Sequence, residues 1–465
     1  MMRRSALGAP LAALLFMAPA AAQDSGASRL TLSDALDIAE GHNPGYRQAS
    51  NSAALNSVEM RTIWLDQLLP RASVSLFNTG FTGNLQRVGQ DNFGNPIQNP
   101  SADWNYFSNT SQQLGLTWAL QGQSLLHAYK RQGLTGEDRA LTETRALTEL
   151  QVEVQRSYMD ALEQRELLRA EAELGEARAI DLNVAERLFS LALRTRVDVL
   201  NAELAVEQQA FALQQQQTAY DRAVLALRTR LGNDEVGAIE LVEESLPLFD
   251  PASLDPDALV RMALRVNPEI QQSAVAVRSS GLGVSESKNA WWPEVSMNLF
   301  VYRRSQQPHG SSLFNIGINE PLESQFQIQF SIPMFNNFFQ NKLTMDRASV
   351  QLENDREVDR ATRLRIEETV RVASLELTNQ WESLRLAERS LEIAQEALRL
   401  AREEYRIGTR TFEDLRSSFD QEALTRRQVI TSRHSFVDAL LSLEVAVGER
   451  VRSAVVPSTR DVGVR

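Results

Sequence analysis

The sequence contains no cysteine. Such a chain forms no disulfide, offers no thiolate to a metal and lacks the lipidated cysteine of a lipoprotein. Lysine is scarce too: only Lys130, Lys288 and Lys342 occur, and arginine supplies the remaining basic residues. The four histidines, His42, His127, His309 and His434, are scattered without ligand spacing, which argues against a metal site. Beyond the N-terminus there is no run of about 18 apolar residues, so no transmembrane helix is expected. Walker loop, dinucleotide fingerprint, nucleophile elbow and zincin motif are all missing. No cofactor and no enzyme are expected on these grounds, and the formal net charge of −12 disfavours nucleic acid as a partner.

What is present begins with Met1-Met2-Arg3-Arg4, an apolar stretch from Ala6 to Met17, and Ala20-Ala21-Ala22 before Gln23. This reads as a secretory signal peptide over residues 1–22, and removing its two arginines takes the net charge from −12 to −14.

The mature chain then runs through one programme twice. Thr31 with Asp34 predicts a capped helix that breaks at Asn43-Pro44, and a second helix is expected from about Tyr46 to Leu68. From Ala72 the period changes to two, with Val74 and Leu76 alternating with serines, and a second strand follows over Leu114, Leu116, Trp118 and Leu120. Between them, Asn78 to Ser111 is rich in Asn, Gly, Gln and Pro and reads mostly as an exposed loop. Ser124 to Ser190 has no proline, and Leu147, Val154, Ala161 and Leu168 recur every seven residues. That predicts one helix about 100 Å long. A turn at Phe189–Asp198 leads to a shorter helix, Thr195 to Leu231, stopped by Gly232-Asn233.

After the acidic connection 236–255, Asp255-Pro256 opens the programme again. Asn267-Pro268 answers Asn43-Pro44, 267 − 43 = 224 residues on, and a helix continues to about Ala290. Strands follow at Val295–Val301 and Phe326–Ile332, then a long helix from Asn341 to about Tyr405 and a closing helix from Thr411 to Val447. Ile366, Val370, Leu377 and Leu384 stand 216 residues after Leu150, Val154, Ala161 and Leu168, and Tyr405–Asp414 repeats the turn Phe189–Asp198 at 405 − 189 = 216. The domain reading is therefore two repeats, 23–235 and 256–448, with a loose tail at 449–465. In each repeat two short helices stacked end to end approach the length of the long one, which makes an α+β slab of even thickness.

Four amphipathic strands with no spanning helix raise a closure problem. In lipid a sheet cannot leave its edges unpaired, and outer-membrane barrels begin at about eight strands. The chain must oligomerise, and eight, twelve and sixteen strands are all open. Trp104, Tyr106, Phe107, Trp118, Trp291, Trp292, Phe335, Phe338 and Phe339 gather near strand ends. Trp118, Trp291, Trp292 and Phe335 suit a membrane-interface girdle.

Leu32-Ser-Asp-Ala-Leu36 with Asn43-Pro44, the duplication, Ile332-Pro333-Met334-Phe335 after the fourth strand, and Gly408-Thr-Arg-Thr411 with Asp414, in this order, resemble the TolC-type outer-membrane efflux protein family. The resemblance covers the whole mature chain. It implies a homotrimer of long antiparallel helices forming an α-helical barrel, with four strands per chain completing a 12-stranded β-barrel in outer-membrane lipid. It also implies a large periplasmic extension, and partners in a periplasmic adaptor (membrane fusion protein) and an inner-membrane pump of RND, ABC or MFS type. On that reading the chain is a passive exit duct for efflux or type I secretion. A periplasmic coiled-coil scaffold without a membrane barrel is the alternative. Departures from the pattern are Ala119 opposite Pro333, and Ala192 opposite Gly408.

Thr195 with Asp198 and Thr411 with Asp414 read first as helix caps. The resemblance adds a pore constriction in which Tyr405 and Arg410 bond Asp198, Arg410 reaches residue 197 of a neighbour, and Asp414 lines the pore; Ser417 stands where a second pore carboxylate is expected. Threefold symmetry would turn each carboxylate into a cation-favouring ring. It also places adaptor contacts at Ala192, Thr195, Gly408 and Thr411. Gly408 is expected to end its helix in the left-handed conformation, at a steric cost for Ala192 in the same place. Trp381 is expected to pack, and Gln214–Gln217 to form a solvated face.

Overall fold

The computed structural model describes residues 28–87, 95–96, 102–121, 123–232, 239–243, 248–308, 321–332 and 337–451. The predicted leader, Phe335 and the tail beyond residue 451 lie outside them.

Helix α1 (Leu32–His42) starts at a reciprocal capping box in which the Thr31 hydroxyl accepts from the Asp34 N–H and the Asp34 carboxylate accepts from the Thr31 N–H. Asn43 ends α1 and caps α2 (Pro44–Leu68), which has proline at its first position, where no N–H is needed. Asn267 does the same between α5 (Pro256–Val266) and α6 (Pro268–Ser287). The long helices are α3 (Ser124–Ser190), of 67 residues, and α7 (Phe338–Ile407), of 70 residues. Helices α4 (Arg196–Leu231) and α8 (Phe412–Val447) return alongside them and stop at Gly232 and Gly448, both left-handed.

Those two glycines make the splices that keep the slab even. A Cβ on Gly232 would lie 2.9 Å from the His42 carbonyl, and one on Gly448 would lie 3.0 Å from the Asn267 Cα. The end of α4 thus abuts the start of α2, and the end of α8 abuts the start of α6. Asn43 and Asn267 donate across these joints to the Arg230 and Ala446 carbonyls, which have no partner within their own helices. The slab runs α7, then α8 with α6, then α3, then α4 with α2.

Three buried clusters hold it. Tyr158, Val154 and Leu162 of α3 pack with Ala35, Ala39, Leu227 and Leu231. Val370 and Leu377 of α7 pack with Phe436, Leu440 and Leu443. Near the turns, Tyr405, Leu398 and Ala401 meet Leu174, Phe412, Leu415 and Phe419. Trp381 packs as expected, 5.5 Å from the Phe436 ring. The glutamine run is not wholly solvated, because Gln216 donates to the backbone and side chain of Gln164.

The sheet has the order β2 (Arg71–Arg87), β3 (Ala102–Gln121), β5 (Glu294–Pro308), β6 (Glu323–Ser331), antiparallel throughout. This corrects the reading of Asn78–Ser111 as mostly loop: β2 extends to Arg87, and β3 begins at Ala102. A bulge explains the error. Ser75 pairs with Gln113 but Asn78 pairs with Ser111, so one extra residue enters β2. The apolar face then passes from even positions, Val74 and Leu76, to odd ones, Phe81 and Leu85, and the period of two disappears from the sequence there. A second element was not foreseen. β1 (Ser28–Leu30) pairs in parallel with β4 (Ile239–Leu241), and the Tyr158 hydroxyl donates to the Leu30 and Val242 carbonyls beside it.

Candidate functional site

Among the described residues the sheet leaves β2 and β6 as open edges. Its register aligns one apolar face across all four strands: Val74 opposite Leu114, Leu114 opposite Val301, Leu116 opposite Leu299, and Leu299 opposite Phe326. Phe326, Ile328 and Phe330 on the edge are each about three-fifths exposed (60%, 61% and 61%). The opposite face carries Ser73, Thr117, Ser296, Asn298, Gln327 and Gln329. Trp118 lies on the apolar face, opposite Met297. Trp291 stacks edge-on against Phe338 at 5.3 Å where the strands meet α7, and Trp292 is exposed at the same junction.

At the other end of the slab the two turns carry the same backbone motif. The Ala192 and Leu193 N–H groups donate to the Phe189 and Leu188 carbonyls, and the Gly408 and Thr409 N–H groups donate to the Tyr405 and Glu404 carbonyls. Both pivots are left-handed, Gly408 at φ 89° and Ala192 at φ 56°. Ala192 accepts the Cβ penalty that glycine avoids.

Thr195 and Thr411 cap α4 and α8, each in a complete box with Asp198 or Asp414. The Thr411 hydroxyl and backbone N–H hold the Asp414 carboxyl below the usual carboxylate range. Asp198 is half-buried and Asp414 exposed. Tyr405 is 1% exposed, edge-on to Phe412, and burial pushes its phenol up.

The bonding expected among these residues differs within the protomer. Among the described residues the Tyr405 hydroxyl has no hydrogen-bond partner, and the Asp198 carboxylate is held by Thr195. Arg410 pairs with Glu404 across its own turn at 2.5 Å. The residue that joins the turns is Arg194, which donates to the Tyr405 and Arg410 carbonyls at 2.7 and 2.6 Å. Its guanidinium carbon sits 4.3 Å from the Tyr405 ring centroid. The sequence did carry a signal for it: Arg194 stands 410 − 194 = 216 residues before Arg410.

Residues 259–449 match the family described as outer membrane efflux protein. The chain is 25% identical over 328 residues to protein CyaE of Bordetella pertussis, covering 69% of this chain and 64% of that one. A crystal structure of a membrane protein from Pseudomonas aeruginosa superposes with a TM-score of 0.69 at 19% identity, covering 90% of this chain and 93% of that one. CusC gives 0.67 at 17% identity, covering 90% and 92%. The CmeC outer membrane channel of Campylobacter jejuni gives 0.67 at 14%, covering 90% and 85%.

The chain shares its fold with these solved outer-membrane channels. That fold, long helices with a few antiparallel strands, is the one expected from the repeat. The chain spans about two thirds of the curated relative it matches (64%).

Proposed function

We propose that this chain is one of three identical subunits of an outer-membrane exit duct, passive in itself, for a tripartite efflux or type I secretion system. The observation that carries the reading is the four-stranded sheet with one continuous apolar face and two unpaired edges. Such a sheet is stable in lipid only inside a closed barrel, and three copies supply twelve strands. A wholly periplasmic scaffold has no use for it.

The helical edges support the same assembly. On α7, Leu364, Leu375, Leu386, Ile393 and Leu400 are exposed at intervals of eleven and seven residues, which places them on one stripe. On α4, at the other edge of the slab, Val197, Leu204, Phe211 and Leu225 form an exposed heptad stripe. Joining the stripe of one copy to that of the next closes the slab into a tube.

Asp198, Tyr405, Arg410 and Asp414 form the constriction at its periplasmic end, with Asp414 repeated threefold as a carboxylate ring that favours cations. Ala192, Thr195, Gly408 and Thr411 present the turns to a periplasmic adaptor, through which an inner-membrane pump delivers cargo. Trp118, Trp291, Trp292 and Phe335 mark the membrane interface. The chain acts as a conduit, not as a catalyst, and the pump selects the cargo.

Reconstitution of the full chain in planar bilayers tests the reading. The expected result is discrete cation-favouring conductance from a heat-modifiable trimer in the membrane fraction. A soluble periplasmic protein without conductance overturns it.

A further inference from the structure

We propose that Arg194 is the latch that holds the two turns of each subunit together at the closed periplasmic end. This rests on the exit-duct reading and assigns the part of the constriction that acts inside one chain.

The argument starts from broken symmetry. In the second turn Arg410 has a carboxylate of its own, Glu404, at 2.5 Å. The first turn has arginine in the same place, but the position of Glu404 is filled by Leu188, 404 − 188 = 216 residues earlier. With no carboxylate there to hold it, the Arg194 side chain crosses to the other hairpin. One terminal nitrogen donates to the Tyr405 carbonyl at 2.7 Å and the Arg410 carbonyl at 2.6 Å. The guanidinium carbon lies over the Tyr405 ring, 4.3 Å from its centroid.

Each acceptor suits a cation. The Tyr405 carbonyl belongs to the last turn of α7, where the helix dipole is negative. The Arg410 carbonyl lies in the loop just before the Thr411 cap. The ring is nearly fully buried against Phe412, so it is a fixed surface to bind on. Further along the helices, Arg402 with Asp181 and Arg178 with Asp420 also join the hairpins. Arg194 makes the tie at the turn itself. Any widening that separates α3 and α4 from α7 and α8 there breaks two charge-assisted bonds and a cation–π contact together.

Lysine keeps a charge but loses the guanidinium that lies over the ring. Among the described residues the Tyr405 hydroxyl has no hydrogen-bond partner, so the latch uses the ring and the carbonyl.

The test compares Arg194→Ala and Arg194→Lys with the unaltered full-length trimer in planar bilayers, with trimer integrity followed by heat-modifiable migration. Arg194→Ala is expected to raise the resting single-channel conductance several-fold with the trimer intact. Arg194→Lys should fall between the two. Unchanged conductance in Arg194→Ala beside a conducting parent overturns the latch alone. So does loss of the trimer in both Arg194 variants, which assigns the residue to assembly. A parent that gives no channel overturns the duct reading beneath it.

Discussion

The Asn267 side chain donates to the Ala446 carbonyl at 2.9 Å while its own oxygen accepts from the Glu269 N–H at 2.9 Å. One buried amide therefore starts α6 and finishes α8. Asn43 makes the same joint more openly, to Arg230, Gly45 and Tyr46. Asn267→Ala leaves orphaned backbone groups on both helices and should cost about 2 kcal/mol; Asn43→Ala, nearer solvent, should cost about 1 kcal/mol. Urea unfolding of the detergent-solubilised trimer measures the difference, and equal losses would contradict it.

The two pivots give opposite predictions. Ala192→Gly removes a left-handed Cβ and should stabilise by about 1 kcal/mol, while Gly408→Ala should destabilise by about as much. A Cβ on Gly408 would meet nothing within 4 Å, so the cost is confined to the backbone. A bulky residue at Gly408 should then leave the trimer intact and weaken adaptor docking, read by crosslinked co-purification. Loss of the trimer would show that the glycine is purely structural.

Thr411 fixes the charge state of Asp414. Its hydrogen bonds depress the carboxyl in the folded protein, so their stabilising contribution is present above the ordinary aspartate range and is lost as pH falls through the depressed value. Cation selectivity from the proposed Asp414 ring should therefore persist below the pH at which free carboxylates discharge. Thr411→Ala should move the titration of selectivity upward, and Asp414→Asn should weaken selectivity at every pH. Reversal potentials across a salt gradient measure both.

Glu171 is 4% exposed and held by Arg427, with Gln209 donating to it at 2.6 Å. Arg427→Met strands a buried carboxylate and should cost about 3 kcal/mol. The double variant Glu171→Gln with Arg427→Met should recover part of that loss in the same urea assay, which would fail if the pair were merely superficial.

Much of this was legible because local chemistry and tertiary structure agree. Thr195 with Asp198, Thr411 with Asp414, and Gly232 and Gly448 are short-range signals, and each ends or starts a helix where expected. The length of α3 followed from an unbroken heptad without proline. The far half of β2 was not legible, since one bulged residue between Ser75 and Asn78 reverses the face on which apolar residues fall. The pair β1 and β4 was hidden because three residues carry no period and the partners are distant in sequence. At the turns, the caps were local and readable. The bond from Arg194 to the Tyr405 carbonyl was not, because it depends on how two hairpins dock.

The sheet of four strands also has a genetic consequence. In the proposed trimer a wall shared among three chains has no spare subunit, so a copy with a damaged β6 would leave a seam in every barrel it enters. If such a copy is made in equal amount with the intact chain, random mixing leaves only about one trimer in eight free of it. The defect should therefore be dominant, spoiling most of the cell's exit ducts while half of its subunits remain sound.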